Sequence, residues 1–152
     1  MNARIELDTL AKDAYRGIGA LDRHVAQSTL PPALVELVRL RASQINGCVY
    51  CVDMHSADAT KAGETTTRLH AVAVWQEAPL FTEQERAALA LTEAGTRLSE
   101  GGDRVPEEVW GQAAQHFTQE ELAALVVAIT AVNAWNRIGV ITRMVPASYE
   151  NV

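Results

Sequence analysis

From Leu122 to Ala134 every residue is apolar except Thr130 and Asn133. Just before this run stand Thr118 and Glu121, at the spacing of a capping box. In that motif a hydroxyl and a carboxylate satisfy N–H groups left free at a helix start. The two signals predict a helix from Gln119 to about Arg137. It is apolar nearly all round, so it belongs at the centre of the molecule or against another copy of the chain. The apolar run is shorter than the roughly 20 residues that cross a bilayer.

The remainder also reads as helix. Alanine is abundant, β-branched runs are short, and helical patterns flank the one Asn-Gly dipeptide, Asn46-Gly47. An all-α, oligomeric fold of about six to seven helices is expected. Asp8 to Ala26 carries Leu10, Ala14, Ile18, Leu21 and Val25 as one apolar stripe. Pro32 suits the first position of a second helix, which runs to Ile45. Asn46-Gly47 ends it, since both residues tolerate the left-handed conformation of a helix end. A third helix spans Cys48 to Ala62 and stops at Gly63; a fourth spans Thr66 to Gln76. Thr82 and Glu85 form another capping box, opening a fifth helix that reaches about Leu98. After the Gly101-Gly102-Asp103 loop, Pro106 opens a sixth that ends near Phe117. No linker or repeat interrupts the pattern, so residues 1–152 are expected to form one domain.

Hydrophobic residues at 48% and charged residues at 21% suit a packed domain and not a disordered chain. Thirteen basic residues against 19 acidic ones leave a net charge of −6. That balance argues against nucleic acid as a partner, and no lysine-rich patch serves an anionic membrane surface. Met1 to Glu6 contains no apolar leader core, so a cytoplasmic location is expected. Two cysteines, Cys48 and Cys51, are too few for a disulfide-stapled secreted scaffold. In a reducing compartment a pair at this spacing points to redox chemistry or metal binding.

On a helix, Cys48 and Cys51 lie at i and i+3, and Cys51 and His55 at i and i+4, so all three share one face. Two sulfurs so placed can close a disulfide within the first turn. The helix N-terminus favours thiolate. His55 can accept the Cys51 proton or hold its thiolate as an ion pair. Glu36 sits among Leu34, Val35, Leu37 and Val38 on the preceding helix, where a carboxylate needs a partner. The tight turn at Asn46-Gly47 folds that helix back beside the cysteine helix. Glu36 is therefore expected to reach Cys48 or His55 and, with its pKa raised by burial, to act as a general base. The same four residues could instead complete a zinc shell. His24, His70 and His116 join no such group and are expected at the surface or at helix ends.

Glu36, the pair Cys48-x-x-Cys51 beginning twelve positions on, and His55 four further resemble the core motif of alkylhydroperoxidase D. That enzyme belongs to the carboxymuconolactone decarboxylase-like superfamily. The flanking stretches Glu36-Leu37-Val38-Arg39-Leu40-Arg41-Ala42-Ser43-Gln44-Ile45-Asn46-Gly47 and Ala131-Val132-Asn133-Ala134-Trp135-Asn136-Arg137 are similar too, and the core match covers about Pro32 to Ala78. The resemblance implies an all-helical bundle assembled as trimers or hexamers. It implies thiol-dependent peroxidase or disulfide reductase activity, with Glu36 and His55 relaying protons to Cys48 and Cys51. One position departs: the family enzyme has a histidine just before its second cysteine, and here Tyr50 stands there. A phenol does not exchange protons near neutral pH as an imidazole does, so the relay is expected to be shorter.

The expected function is an antioxidant, peroxiredoxin-type enzyme that reduces a hydroperoxide through a Cys48–Cys51 dithiol–disulfide cycle. Cys51 is expected to attack, and Cys48 to resolve and to meet a dithiol or protein reductant. No metal or organic cofactor is needed. The alternative within the superfamily is a decarboxylase, but decarboxylases proper do without the CxxC pair. The alternative outside it is a non-catalytic redox-sensing or zinc-binding protein.

Overall fold

The computed structural model describes residues 3–149. Met1 and Asn2, the start of the segment expected to lack a leader core, and Glu150 to Val152 lie outside them. All regular elements among the described residues are helical. They are α1 (Leu7–Leu10), α2 (Lys12–Ala26), α3 (Pro32–Asn46), α4 (Val49–Lys61), α5 (Thr66–Ala71), α6 (Glu83–Thr96), α7 (Glu107–His116) and α8 (Gln119–Thr142). Single 3₁₀ turns occupy Val72–Val74, Leu98–Glu100 and Ala147–Tyr149.

The all-α expectation holds, with eight α-helices among the described residues where six to seven were expected. The extra one arises at Ala11, whose φ of −132° and ψ of 51° break the first helix in two. The predicted stripe there becomes a buried face only toward its end: Leu10 is 74% exposed, whereas Val25 is buried. The fourth predicted helix stops at Ala71 and tightens into a 3₁₀ turn. Both capping boxes form, with Thr82 and Thr118 each bonded reciprocally to the glutamate three residues on.

The most enclosed helix is α3, not the apolar α8. Leu34, Val35 and Val38 pack with Val25 of α2, Ala88 and Leu91 of α6, Phe117, and Leu125 and Ile129 of α8. Leu37 and Leu40, on the other side, pack with Ala59 of α4, Leu69, Val72, Trp75, Phe81 and Leu89. α8 buries one face against α2, α3 and α4 and leaves Val126, Val140 and Ile141 exposed on another. It also runs past the predicted end at Arg137. With this extension the stretch Gln119–Tyr149 contains an 18-residue window of mean hydropathy 1.5 and is long and apolar enough to cross a membrane by length and composition, although the uninterrupted run within it is too short.

An amide cluster fastens α3 to α8. The Asn46 side chain donates to Asn133 Oδ1 at 3.0 Å and to Asn136 Oδ1 at 2.9 Å. Asn136 in turn donates to Ser43 Oγ at 2.9 Å. The next residue, Gly47, has φ 68°, a left-handed conformation that favours glycine. The chain reverses there, and α4 starts two residues later alongside α3.

Candidate active site

This reversal delivers Cys48 to the N-cap of α4, where its sulfur accepts the Cys51 N–H at 3.3 Å. Cys48 and Cys51 are joined as a disulfide, with Cα atoms 5.3 Å apart. Their sequence spacing accounts for this: an N-cap and the third helical residue face each other across the first turn. Both cysteines are almost completely buried.

One turn on, His55 places Nδ1 2.8 Å from Oε2 of Glu36 on α3. A chain of ionic contacts continues from there. Arg39 Nη1 donates to Glu36 Oε1 at 2.7 Å, and Arg39 Nη2 donates to Asp22 Oδ1 of α2 at 2.9 Å. The other Asp22 oxygen accepts Trp135 Nε1 of α8 at 2.6 Å. Tyr15 stands edge-on to Trp135, ring centres 4.6 Å apart. Four helices are thus tied to one buried carboxylate.

The structure corrects the expected ionisation of Glu36. Burial does push its pKa up, but hydrogen bonds and positive charge from His55 and Arg39 outweigh that and hold it below the ordinary carboxylate value. Glu36 is therefore a carboxylate at neutral pH. It accepts the His55 Nδ1–H, which leaves the lone pair of a neutral His55 on Nε2. That Nε2 is buried and has no hydrogen-bond partner among the described residues.

A cavity of about 280 Å³ opens over Cys51 and His55. Its walls are mainly apolar and aromatic, from Tyr15, Tyr50, Met54, Val132, Trp135 and Met144, with Asp22, Arg39 and Asp58 as polar members. Burial, reinforced by Tyr50 and Asp8, pushes the Tyr15 pKa up, so its phenol stays neutral. Cys48 does not line this cavity. It stands at the helix end, as expected of the sulfur that meets a reductant, and it is almost completely buried there. Gly139 of α8 passes over its sulfur so closely that a Cβ there would lie 2.7 Å from Cys48 Sγ and 3.5 Å from Cys51 Sγ.

All four residues singled out from the sequence, Glu36, Cys48, Cys51 and His55, therefore gather at one place. They are not arranged as a zinc shell: the sulfurs bond each other and His55 turns Nδ1 to Glu36. Among the described residues no group of three or more His, Cys, Asp and Glu is placed to hold a metal ion. His24, His70 and His116 are exposed in the last turns of their helices, as expected. Sequence reasoning gave no role to Arg39, Asp22, Trp135 or Gly139. Arg39 and Trp135 stand inside the stretches that carry the family resemblance, a signal that could have marked them. An aspartate on a largely exposed helix and a glycine within an apolar one carry no such mark.

A model of the carboxymuconolactone decarboxylase family matches residues 12–94, more than half of the chain. The chain belongs to this family. The chain is similar to the uncharacterized protein YdfG of Bacillus subtilis, 34% identical over 140 residues, 92% of this chain and 94% of that protein. Among solved structures it is similar to a protein of unknown function from Agrobacterium tumefaciens, described as a candidate antioxidant defence protein AhpD. The two are 37% identical with a TM-score of 0.89, over 95% of this chain and 98% of that one. An uncharacterized peroxidase-related protein from Silicibacter sp. TM1040 shares the fold at 22% identity and a TM-score of 0.76, over 90% of this chain and 72% of that one. The chain is an AhpD-like member of the family.

Two expectations follow from the site's packing and charge. Within a helix, replacing glycine by alanine ordinarily stabilises by about 0.5–1 kcal/mol. Gly111→Ala in α7, with nothing within 4 Å of the new Cβ, should show that gain. Gly139→Ala must displace a sulfur and should instead destabilise by about 1–3 kcal/mol. Thermal melts of the two variants read the difference, and a gain at Gly139 would contradict the close packing. Because Glu36 titrates lower folded than unfolded, its contribution is fully present above its ordinary value of 4.5 and is lost as pH falls through the folded value. Denaturant titrations from pH 7 to 3 should lose stability less steeply in Glu36→Gln than in the wild type. Equal slopes would remove Glu36 from the linkage.

Proposed function

We propose that this protein is a thiol-dependent peroxidase that reduces hydroperoxides by a Cys48–Cys51 cycle. The observation that carries this reading is the shared cavity: Cys51 of the CxxC pair and the carboxylate-backed His55 both line the same apolar space, and His55 Nε2 is left without a hydrogen-bond partner among the described residues. The likeness to the Agrobacterium tumefaciens protein, named for antioxidant defence, points the same way.

In the reduced protein, His55 Nε2 takes the Cys51 thiol proton while the Glu36 carboxylate balances the imidazolium through Nδ1. The Cys51 thiolate attacks the terminal oxygen of the hydroperoxide. The O–O bond breaks, the alkoxide takes the proton from His55, and Cys51 becomes a sulfenic acid. The Cys48 thiol then attacks the Cys51 sulfur, water leaves, and the disulfide forms. An external dithiol returns two electrons by exchange, becoming oxidised itself. Cys51 attacks in this scheme because it faces the cavity and Cys48 does not. The reducing cytoplasm is the compartment that keeps such a cycle supplied.

The test is a thiol titration of fully reduced protein against one equivalent of an organic hydroperoxide. Two thiols per chain should be lost, and a dithiol should restore them; unchanged thiols would overturn the reading. Glu36→Gln and His55→Gln should each slow the loss by about 10²–10⁴-fold. The double variant should lose less than the product of the two, because the pair acts as one unit. Wild-type rates in Glu36→Gln across pH 6–8 would remove the relay.

We also propose that the chain works as a homo-oligomer, a trimer or a hexamer of trimeric units. The support is the apolar surface of α8 at Val126, Val140 and Ile141, which the chain itself leaves uncovered. Light scattering at micromolar concentration should give a multiple of 16.5 kDa, and a monomeric mass would end this proposal.

A further inference from the structure

The cavity over Cys51 has one guanidinium among its lining residues, Arg39, and its charge is already spoken for. One terminal nitrogen donates to Glu36 at 2.7 Å and the other to Asp22 at 2.9 Å. Asp22 is itself fixed in this pose by Trp135 at 2.6 Å. Arg39 is not remote from a ligand: its side chain keeps 17% exposure, and that of Asp22 keeps 32%. At the same cavity Asp58 holds Lys61 at 2.7 Å, outside the lining. Three carboxylates therefore stand against two cations, both paired. Proton transfer from Cys51 to His55 leaves that balance unchanged.

A neutral apolar molecule entering this space exchanges water for aromatic and methionine surface, which is favourable. A carboxylate entering it loses hydration and finds no uncommitted cation, which is costly. We infer that this site takes neutral, apolar hydroperoxides and rejects carboxylate-bearing ones, and that Asp22 sets the selectivity by masking Arg39. Arginine is the side chain best shaped to grip a carboxylate with two parallel N–H donors. Asp22 occupies one of those donors and cancels the charge. Removing Asp22 would free Arg39 Nη2 and the Trp135 N–H together, making an anion receptor beside the reactive sulfur. Asp22 hydrogen-bonds Arg39 and Trp135 and neither sulfur nor His55, so it is a specificity-determining residue and not a catalytic one.

The inference rests on the peroxidase reading, and one experiment separates the two. Fully reduced protein is mixed with cumene hydroperoxide carrying a para carboxylate, or with the methyl ester of the same molecule. The rate of loss of both thiols is followed in a single turnover, so no reductant is involved. The ester should react about tenfold faster or more in the wild type, and added salt should narrow the gap. In Asp22→Ala the ratio of ester to acid rates should fall about tenfold or invert. Asp58→Asn, at a more exposed position, should lower the ratio by a smaller factor. The ratio is taken within each variant, so a loss of folded protein lowers both rates and cancels. Equal rates for ester and acid in the wild type would overturn the inference and leave the peroxidase reading standing. A ratio untouched by Asp22→Ala would remove Asp22 from the selectivity. No thiol loss with either compound would overturn the peroxidase reading and this inference with it.

Discussion

Glu36 lies in a helix enclosed on nearly every side, and an ionised carboxylate there is tolerable only with partners. Its partners explain much of the arrangement of helices around it. His55 arrives from α4, which must fold back at Gly47 to bring it there. Arg39 comes from the next turn of α3 and carries the charge outward to Asp22 on α2. Asp22 then reaches Trp135 on α8. Removing one partner of such a buried set leaves the others uncompensated, so the network constrains all four helices at once. The surrounding apolar core supplies cohesion, but the polar chain decides which faces meet.

Much of this was legible in the sequence. The capping boxes at Thr82 and Thr118 are local rules that need only neighbouring residues, and both form. The i, i+3, i+4 spacing of Cys48, Cys51 and His55 is set by helix geometry alone, as is the reversal at Gly47. Glu36 could be chosen because a lone carboxylate in an apolar helix needs an explanation. Its ionisation could not be read. The answer depends on His55 and then on Arg39, whose second donor goes to Asp22, seventeen residues away on another helix. The same limit applies to which helix is central. Apolar composition marked α8 for the centre or for a contact with another copy, yet α3 is the helix packed on both sides, and α8 lies at the margin of the bundle with one face uncovered.

The two asparagines of α8 show a second kind of dependence. Asn133 and Asn136 stand in a stretch recognisable by family likeness, but nothing in their spacing says what they hold. In the folded chain they grip Asn46, the last residue of α3, and so fix where the reversal at Gly47 occurs. The position of Cys48 is thereby set from the far end of the chain, through amide hydrogen bonds that carry no net charge.

Gly139 gives the sulfur pair a floor that cannot recede. Bonded sulfurs sit about 2 Å apart, whereas unbonded heavy atoms need roughly 3.5–4 Å. Reduction therefore asks for space, and the space is lopsided: helix backbone closes the Cys48 side, while the Cys51 side is open cavity. Separation of the two sulfurs has room only on the Cys51 side, so the cavity that would receive a guest is also the space that a reduced pair would need.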